Sequence, residues 1–211
     1  MQKRLIRKLD LEKAISEVKP HPEPKAYLEQ YTIPPEAAAQ ILYIAAYTYD
    51  DIIDKTILDL GCGTGRLAIG AVLVGADEAF GVDIDRVAVR TAHNNAEKTG
   101  VKEKTNWVLA DINAIRGSFD TVLQNPPFGV QRKGADRKFL EKSLELGHRV
   151  YSLHKSGKSN REFIKRFIEK REGKVTGVFP MEIEIPKLFK FHTKRKPVSY
   201  THLRAHETGR N

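Results

Sequence analysis

From residue 56 onward, short apolar runs alternate with longer stretches in which apolar residues recur every three or four positions. That rhythm predicts strands at 56–60, 79–83, 104–110, 119–124, 150–154 and 174–179. Helices are predicted between them at 66–74, from the cap Asp85 to about 98, at 138–147 and at 160–171. Strands alternating with helices imply a parallel sheet covered on both faces. The stretch 66–74 is apolar almost throughout, which predicts a helix buried on every side. Upstream, Leu5, Ile6, Leu9, Leu11, Ile15 and Val18 recur at roughly helical spacing until Pro20-His21-Pro22-Glu23-Pro24 stops any helix. Ala37, Ala38, Ile41, Leu42 and Ala45 then mark the apolar face of a helix that begins at its prolines, Pro34-Pro35. The expected fold class is α/β: a doubly wound, Rossmann-like, mostly parallel sheet of about seven strands with an N-terminal helical arm. No internal repeat or low-complexity segment interrupts it.

Length and charge narrow this picture. A chain of 211 residues suits one domain with one sizeable core. Lys and Arg number 36 against 27 Asp and Glu, a net charge of +9 and a pI near 9.5, which favours an anionic partner such as nucleic acid. Basic residues cluster at 132–138, 155–174 and 187–196. The middle cluster reads as a charged helix face. The outer two flank the sheet's ligand edge and mix Phe189, Phe191 and His192 with lysines, as an RNA-tracking surface does, so Arg132, Lys133, Lys190, His192 and Lys194 are candidate RNA contacts, with Lys155 at the start of the middle cluster counted beside them. Cys62 is the single cysteine and no Cys/His cluster has zinc-ligand spacing, so neither a disulfide nor a metal site is expected. The longest apolar run, 67–76, is too short to span a bilayer, and the charged start lacks a signal peptide's apolar region, so the expectation is a cytoplasmic protein.

Candidate chemistry gathers at the strand ends. Asp59-Leu60-Gly61-Cys62-Gly63-Thr64-Gly65 is a glycine-rich turn between a strand and a buried helix, and Asp83 closes the next strand 22 positions after Gly61, where a carboxylate accepts ribose hydroxyls. A nicotinamide dinucleotide would call for a third glycine one residue later. Asp59 beside the turn would repel its diphosphate but suits a cationic amino-acid moiety, so the charge favours a sulfonium cofactor. Asp111, at the end of the third strand, can bond an exocyclic amine while Ile112 packs on a ring; a helix cap is the other reading of Asp111. Gln30 sits in a loop from which it can reach a ligand or simply stay solvated. Asn125-Pro126-Pro127-Phe128 follows a buried strand. Two prolines cannot continue a ladder, so Asn125 is delivered to the sheet's carboxyl edge, with Phe128 offering a π surface for a planar heterocycle.

These residues resemble the Class I S-adenosylmethionine-dependent methyltransferases. More narrowly, they resemble the methyltransferase-like protein 5 family of small-subunit ribosomal RNA adenosine-N6 methyltransferases and its archaeal relatives. Leu28-Glu29-Gln30-Tyr31, Asp83-Ile84-Asp85, Asn125-Pro126-Pro127-Phe128-Gly129, Tyr151-Ser152-Leu153-His154-Lys155 and Lys190-Phe191-His192 carry the resemblance, beside the glycine-rich turn. It implies cofactor contacts at Gln30, Gly61, Thr64, Asp83, Asp111 and Ile112, with Asp59, Gly63 and Gly65 completing the turn, and adenine contacts at Asn125, Pro126, Pro127 and Phe128. It also implies a small zinc-binding activator of the Trm-112 type, expected on an edge strand around Trp107. The family has Pro-Thr after Gln-Tyr where this chain has Thr32-Ile33. Three spans are expected: a cofactor-covering arm at 1–50, the methyltransferase domain at 51–196, and a tail at 197–211 that lacks the family's final apolar strand and so fills the last strand position poorly. The expected activity is N6 methylation of an adenosine in small-subunit rRNA. A protein glutamine-N5 methyltransferase, or a non-catalytic RNA-binding or assembly protein on the same fold, are the alternatives.

Overall fold

The computed structural model describes residues 6–127, 134–184 and, as backbone, 197–207. At the centre lies β1 (Thr56–Leu60), apolar on both sides: Ile57 packs into the core on one face, Leu58 and Leu60 on the other. The other strands are β2 (Glu78–Asp83), β3 (Thr105–Leu109), β4 (Phe119–Gln124), β5 (Gly147–Lys155), β6 (Gly173–Glu184) and β7 (Pro197–Glu207), in the spatial order β3-β2-β1-β4-β5-β7-β6. The strands β1 to β5 pair in parallel, and β7 runs antiparallel to both β5 and β6. The order reverses between β1 and β4. The loops that leave these two strands therefore part and open a crevice at the carboxyl edge.

Among the described residues six α-helices cover the sheet: α1 (Lys8–Ser16), α2 (Pro35–Tyr47), α3 (Arg66–Val74), α4 (Arg86–Lys98), α5 (Ala135–Leu146) and α6 (Lys158–Glu169). On one face Leu11 and Ile15 of α1, the alanines and Leu42 of α2, and Leu67 and Ala68 of α3 join Ile57, Leu123 and Tyr151 in a single core. On the other face Leu140 and Leu144 of α5 with Ile164 and Ile168 of α6 close over Leu58, Leu60 and Val122. Among the described residues no helix is long and apolar enough to cross a membrane.

Two buried polar side chains fasten the N-terminal arm to the sheet. Arg66, in the first turn of α3, donates from Nη2 to the Val18 carbonyl at 2.6 Å and from Nη1 to the Ile33 carbonyl at 2.5 Å. Asn95 of α4 exchanges hydrogen bonds with the Lys19 backbone and donates to the Thr64 carbonyl at 3.0 Å. Such bonds satisfy backbone groups that would otherwise be stranded in the interior.

One expectation is corrected. Helix α5 starts at Ala135 and hands over directly to β5, because the parallel ladder already registers Phe119 with Gly147; the expected helix to 147 and strand from 150 are both shifted. The tail, expected to fill the last strand position poorly, occupies that position with its backbone. Residues 197–207 form β7, paired from Arg149 to Lys155 of β5 on one side and from Gly173 to Glu184 of β6 on the other.

Candidate active site

The alternation of β1 places Asp59 on the same face as Ile57, against the start of α3, where its Oδ2 accepts the Ala68 amide at 3.1 Å. The residue is 1% exposed. Burial pushes its carboxyl up to about 7; the Ala68 N–H opposes that rise and the charge of Asp83 adds to it. The turn that follows needs glycine at two positions for two reasons each. Gly61 and Gly65 have φ of +73° and +86°, a Cβ at Gly61 would lie 2.6 Å from the Phe139 ring, and one at Gly65 would collide with the Trp107 ring. Strand β2 ends on Asp83, whose Oδ2 accepts the Gly63 amide at 2.8 Å and whose Oδ1 accepts the Asp85 amide at 2.9 Å. Burial raises its pKa against these two bonds. Among the described residues neither Asp59 nor Asp83 has a cation within ion-pair distance.

These elements wall a cavity of about 290 Å³ at the switch point. Gln30, Asp59, Gly61, Gly63, Thr64, Asp83, Asp111 and Ile112 line it together with Asn125, Pro127, Lys138 and Phe139. The structure thus brings most of the sequence-derived candidates to one place. Gly65 and Pro126 sit behind the wall, as the N-cap of α3 and as a buried ring. Asp111 satisfies both of its readings: it lines the cavity, and its Oδ1 accepts from the Asn113 amide and side chain. Lys155 is exposed at the end of β5 and is not part of the cavity wall. Phe128, Arg132, Lys133, Lys190, His192 and Lys194 lie outside the described residues.

Three features of the site were missed. Gln30 has both ends of its amide engaged by protein: Oε1 accepts the Lys25 amide at 2.8 Å, and Nε2 donates to Asp85 Oδ2 at 2.9 Å. Asp85, expected only as a helix cap, also pairs with Lys25 Nζ at 3.0 Å and has His21 Nε2 at 3.4 Å. Burial alone would raise its pKa, but the donors from Gln30, Lys25 and the Val87 amide hold the carboxyl down to about 2. The second feature is that the Tyr31 hydroxyl donates to Asn125 Oδ1 at 2.7 Å. The third is the ring of Phe139, whose place over Gly61 no local pattern signals. The tyrosine stands inside the quoted Leu28-Glu29-Gln30-Tyr31 motif, which was the available sign.

As expected, β3 is an edge strand of the sheet. The Trp107 ring, however, turns inward over Gly65 and Gly81, with its Nε1 buried, while Val108 is 37% exposed. The side chains this edge exposes are those of Val108 and Leu109.

Comparison with known proteins fits this geometry. The family described as Ribosomal protein L11 methyltransferase (PrmA) matches residues 42–126, the half that carries the glycine-rich turn. The uncharacterized protein MJ0284 of Methanocaldococcus jannaschii is 39% identical over 203 residues, covering 90% of each chain. The rRNA N(6)-adenosine-methyltransferase METTL5 of Danio rerio is 36% identical over 192 residues, covering 88% of this chain and 91% of that one. The crystal structure of PH1948 from Pyrococcus horikoshii superposes with a TM-score of 0.89 at 38% identity, covering 97% of this chain and 99% of that one. Similarity of this extent spans the arm, the glycine-rich turn and the Asn-Pro-Pro strand end together, and the chain belongs to the METTL5 family of rRNA N(6)-adenosine-methyltransferases.

Proposed function

We propose that this chain methylates the N6 amine of an adenosine in small-subunit ribosomal RNA. As a member of its family it is an S-adenosylmethionine-dependent methyltransferase, and that cofactor supplies an electrophilic methyl group on a sulfonium. The residues present fit it. Asp83 is a half-buried acceptor suited to a ribose diol, and Asp59, buried without a cation among the described residues, suits an ammonium. Residues 1–50 act as the cover of this site and 51–196 as its body.

The single observation that carries the reading is the place of Asn125. It is half-buried in the wall of the cavity that holds the two acids, at the end of the strand beside β1. Adenine's amine is a poor nucleophile because its lone pair is delocalised into the ring. Asn125 Oδ1 and the Pro126 carbonyl each accept one amine hydrogen, which turns the lone pair out of conjugation and aims it at the methyl. Phe128 stacks on the base once it has left its helix. No dedicated base is needed, since the proton becomes acidic after transfer. Losing one positioned acceptor costs on the order of 3 kcal/mol, roughly a hundredfold in rate. Asn125→Ala should therefore remove most N6-methyladenosine, read by nucleoside mass spectrometry, while calorimetry finds cofactor affinity intact. Near-normal turnover in that variant would refute the mechanism.

A protein substrate is the second reading, favoured by the match of residues 42–126 to ribosomal protein L11 methyltransferases. That match stops at the shared cofactor half, whereas the METTL5 proteins match over 88% of this chain and about nine-tenths of their own. The basic candidates Arg132, Lys133, Lys155, Lys190, His192 and Lys194 supply the RNA contacts in our reading, a Trm-112-type zinc protein docks on the β3 edge, and the compartment is the cytoplasm.

A further inference from the structure

We infer that Tyr31 is a positioning residue that sets the polarity of the catalytic amide. The inference rests on the proposed role of Asn125 as an amine acceptor. An asparagine side chain is nearly symmetric in shape but opposite in hydrogen bonding at its two ends: Oδ1 accepts and Nδ2 donates. A half-turn about its last bond would present the adenine amine with an NH₂ group, two donors facing each other, and the acceptor would be lost.

The prolines that follow Asn125 fix the backbone but not this rotation. Tyr31 does, because its hydroxyl donates to Asn125 Oδ1 at 2.7 Å from a strap 94 residues away in sequence. A phenol donates more readily than it accepts, since its oxygen lone pair is shared with the ring, so it selects the orientation with Oδ1 towards it. Oδ1 keeps a second lone pair for the substrate amine. The strap is itself held: the neighbouring residue Gln30 is bonded at one end to the Lys25 backbone and at the other to Asp85, which in turn donates its amide to Asp83. Two consecutive residues thus connect the acid at the end of β2 to the amide at the end of β4, and Tyr31 lines the same cavity.

Tyr31→Phe, which keeps the ring and removes the hydroxyl, tests this. We expect kcat on rRNA to fall about tenfold, with the RNA KM and cofactor Kd within twofold of wild type. An RNA carrying inosine at the target, whose carbonyl replaces the amine, should inhibit the variant at least threefold better than wild type, because a freed amide can turn Nδ2 towards it. Purely structural damage would not improve inosine binding. Unchanged kcat, or no gain for inosine, overturns the inference. Wild-type turnover on rRNA judges the proposed function separately. If wild type methylates no RNA, the ¹⁵N side-chain signal of Asn125, identified by its loss in Asn125→Ala, still decides the matter. It should shift or broaden in Tyr31→Phe, and an unmoved signal sinks the role.

Discussion

Asp59, in the cavity wall, and His154, in β5, are both buried, and their linkages to pH run in opposite directions. Burial raises Asp59 from 3.8 to about 7, so the unfolded chain gives up its proton first and stability falls as pH rises from about 4 to 7. Burial lowers His154 from 6.5 to about 4, so the unfolded chain takes up its proton first and stability falls as pH drops from about 6.5 to 4. Over the shared window the two nearly cancel, each worth about 3 kcal/mol. The Asp59→Asn variant should unmask the histidine. Between pH 6.5 and 4.5 its melting temperature, followed by calorimetry, should drop about 5 °C further than that of wild type; identical slopes would show that Asp59 is ionised in the fold. Asp59 and Asp83 were legible because spacing along a strand, turn and strand encodes their place. The bonds from Tyr31 to Asn125 and from Gln30 to Asp85 were not, because they join residues 94 and 55 positions apart and exist only once the arm has folded over the sheet.

At the scale of the element, β3 is the edge to which our reading assigns the activator. Its outer side is unpaired among the described strands, and Val108 and Leu109 are exposed there while Trp107 is spent on packing against the glycine turn. Replacing Trp107 would therefore damage the fold and report nothing about docking. Val108→Asp should leave the melting temperature within about 2 °C, since surface changes cost roughly 0.5 kcal/mol or less. It should also weaken co-purification with the proposed zinc-binding activator at least tenfold, and unchanged association would move the interface elsewhere. The parallel strands around β1 were readable because strands buried on both faces leave continuous apolar runs. The junction of α5 and β5 was not, since a ladder bond to β4, not local propensity, ends that helix. Nor was β7, whose Ser199, His202, Arg204 and His206 break any apolar alternation and whose pairing comes from neighbours on both sides.

For the whole molecule, that strand is the place to gain stability. Its backbone completes the sheet, but its sequence is polar for a strand flanked on both sides. Replacing 197–207 by alternating apolar residues should raise the melting temperature by several degrees; no gain would show that the present sequence pairs as well as an apolar one. The cover of the cavity obeys a different logic. Because the Arg66 guanidinium holds the carbonyls of both Val18 and Ile33, the intervening chain is an Ω-loop with its neck clasped by one side chain. A clasped neck separates the length of a loop from its anchorage: each doubling of the loop adds only about 0.6 kcal/mol of closure entropy. Changes of length between Lys19 and Gln30 should therefore leave the helices that carry the neck undisturbed, provided that the bonds made by Lys19, Gln30 and Tyr31 are kept.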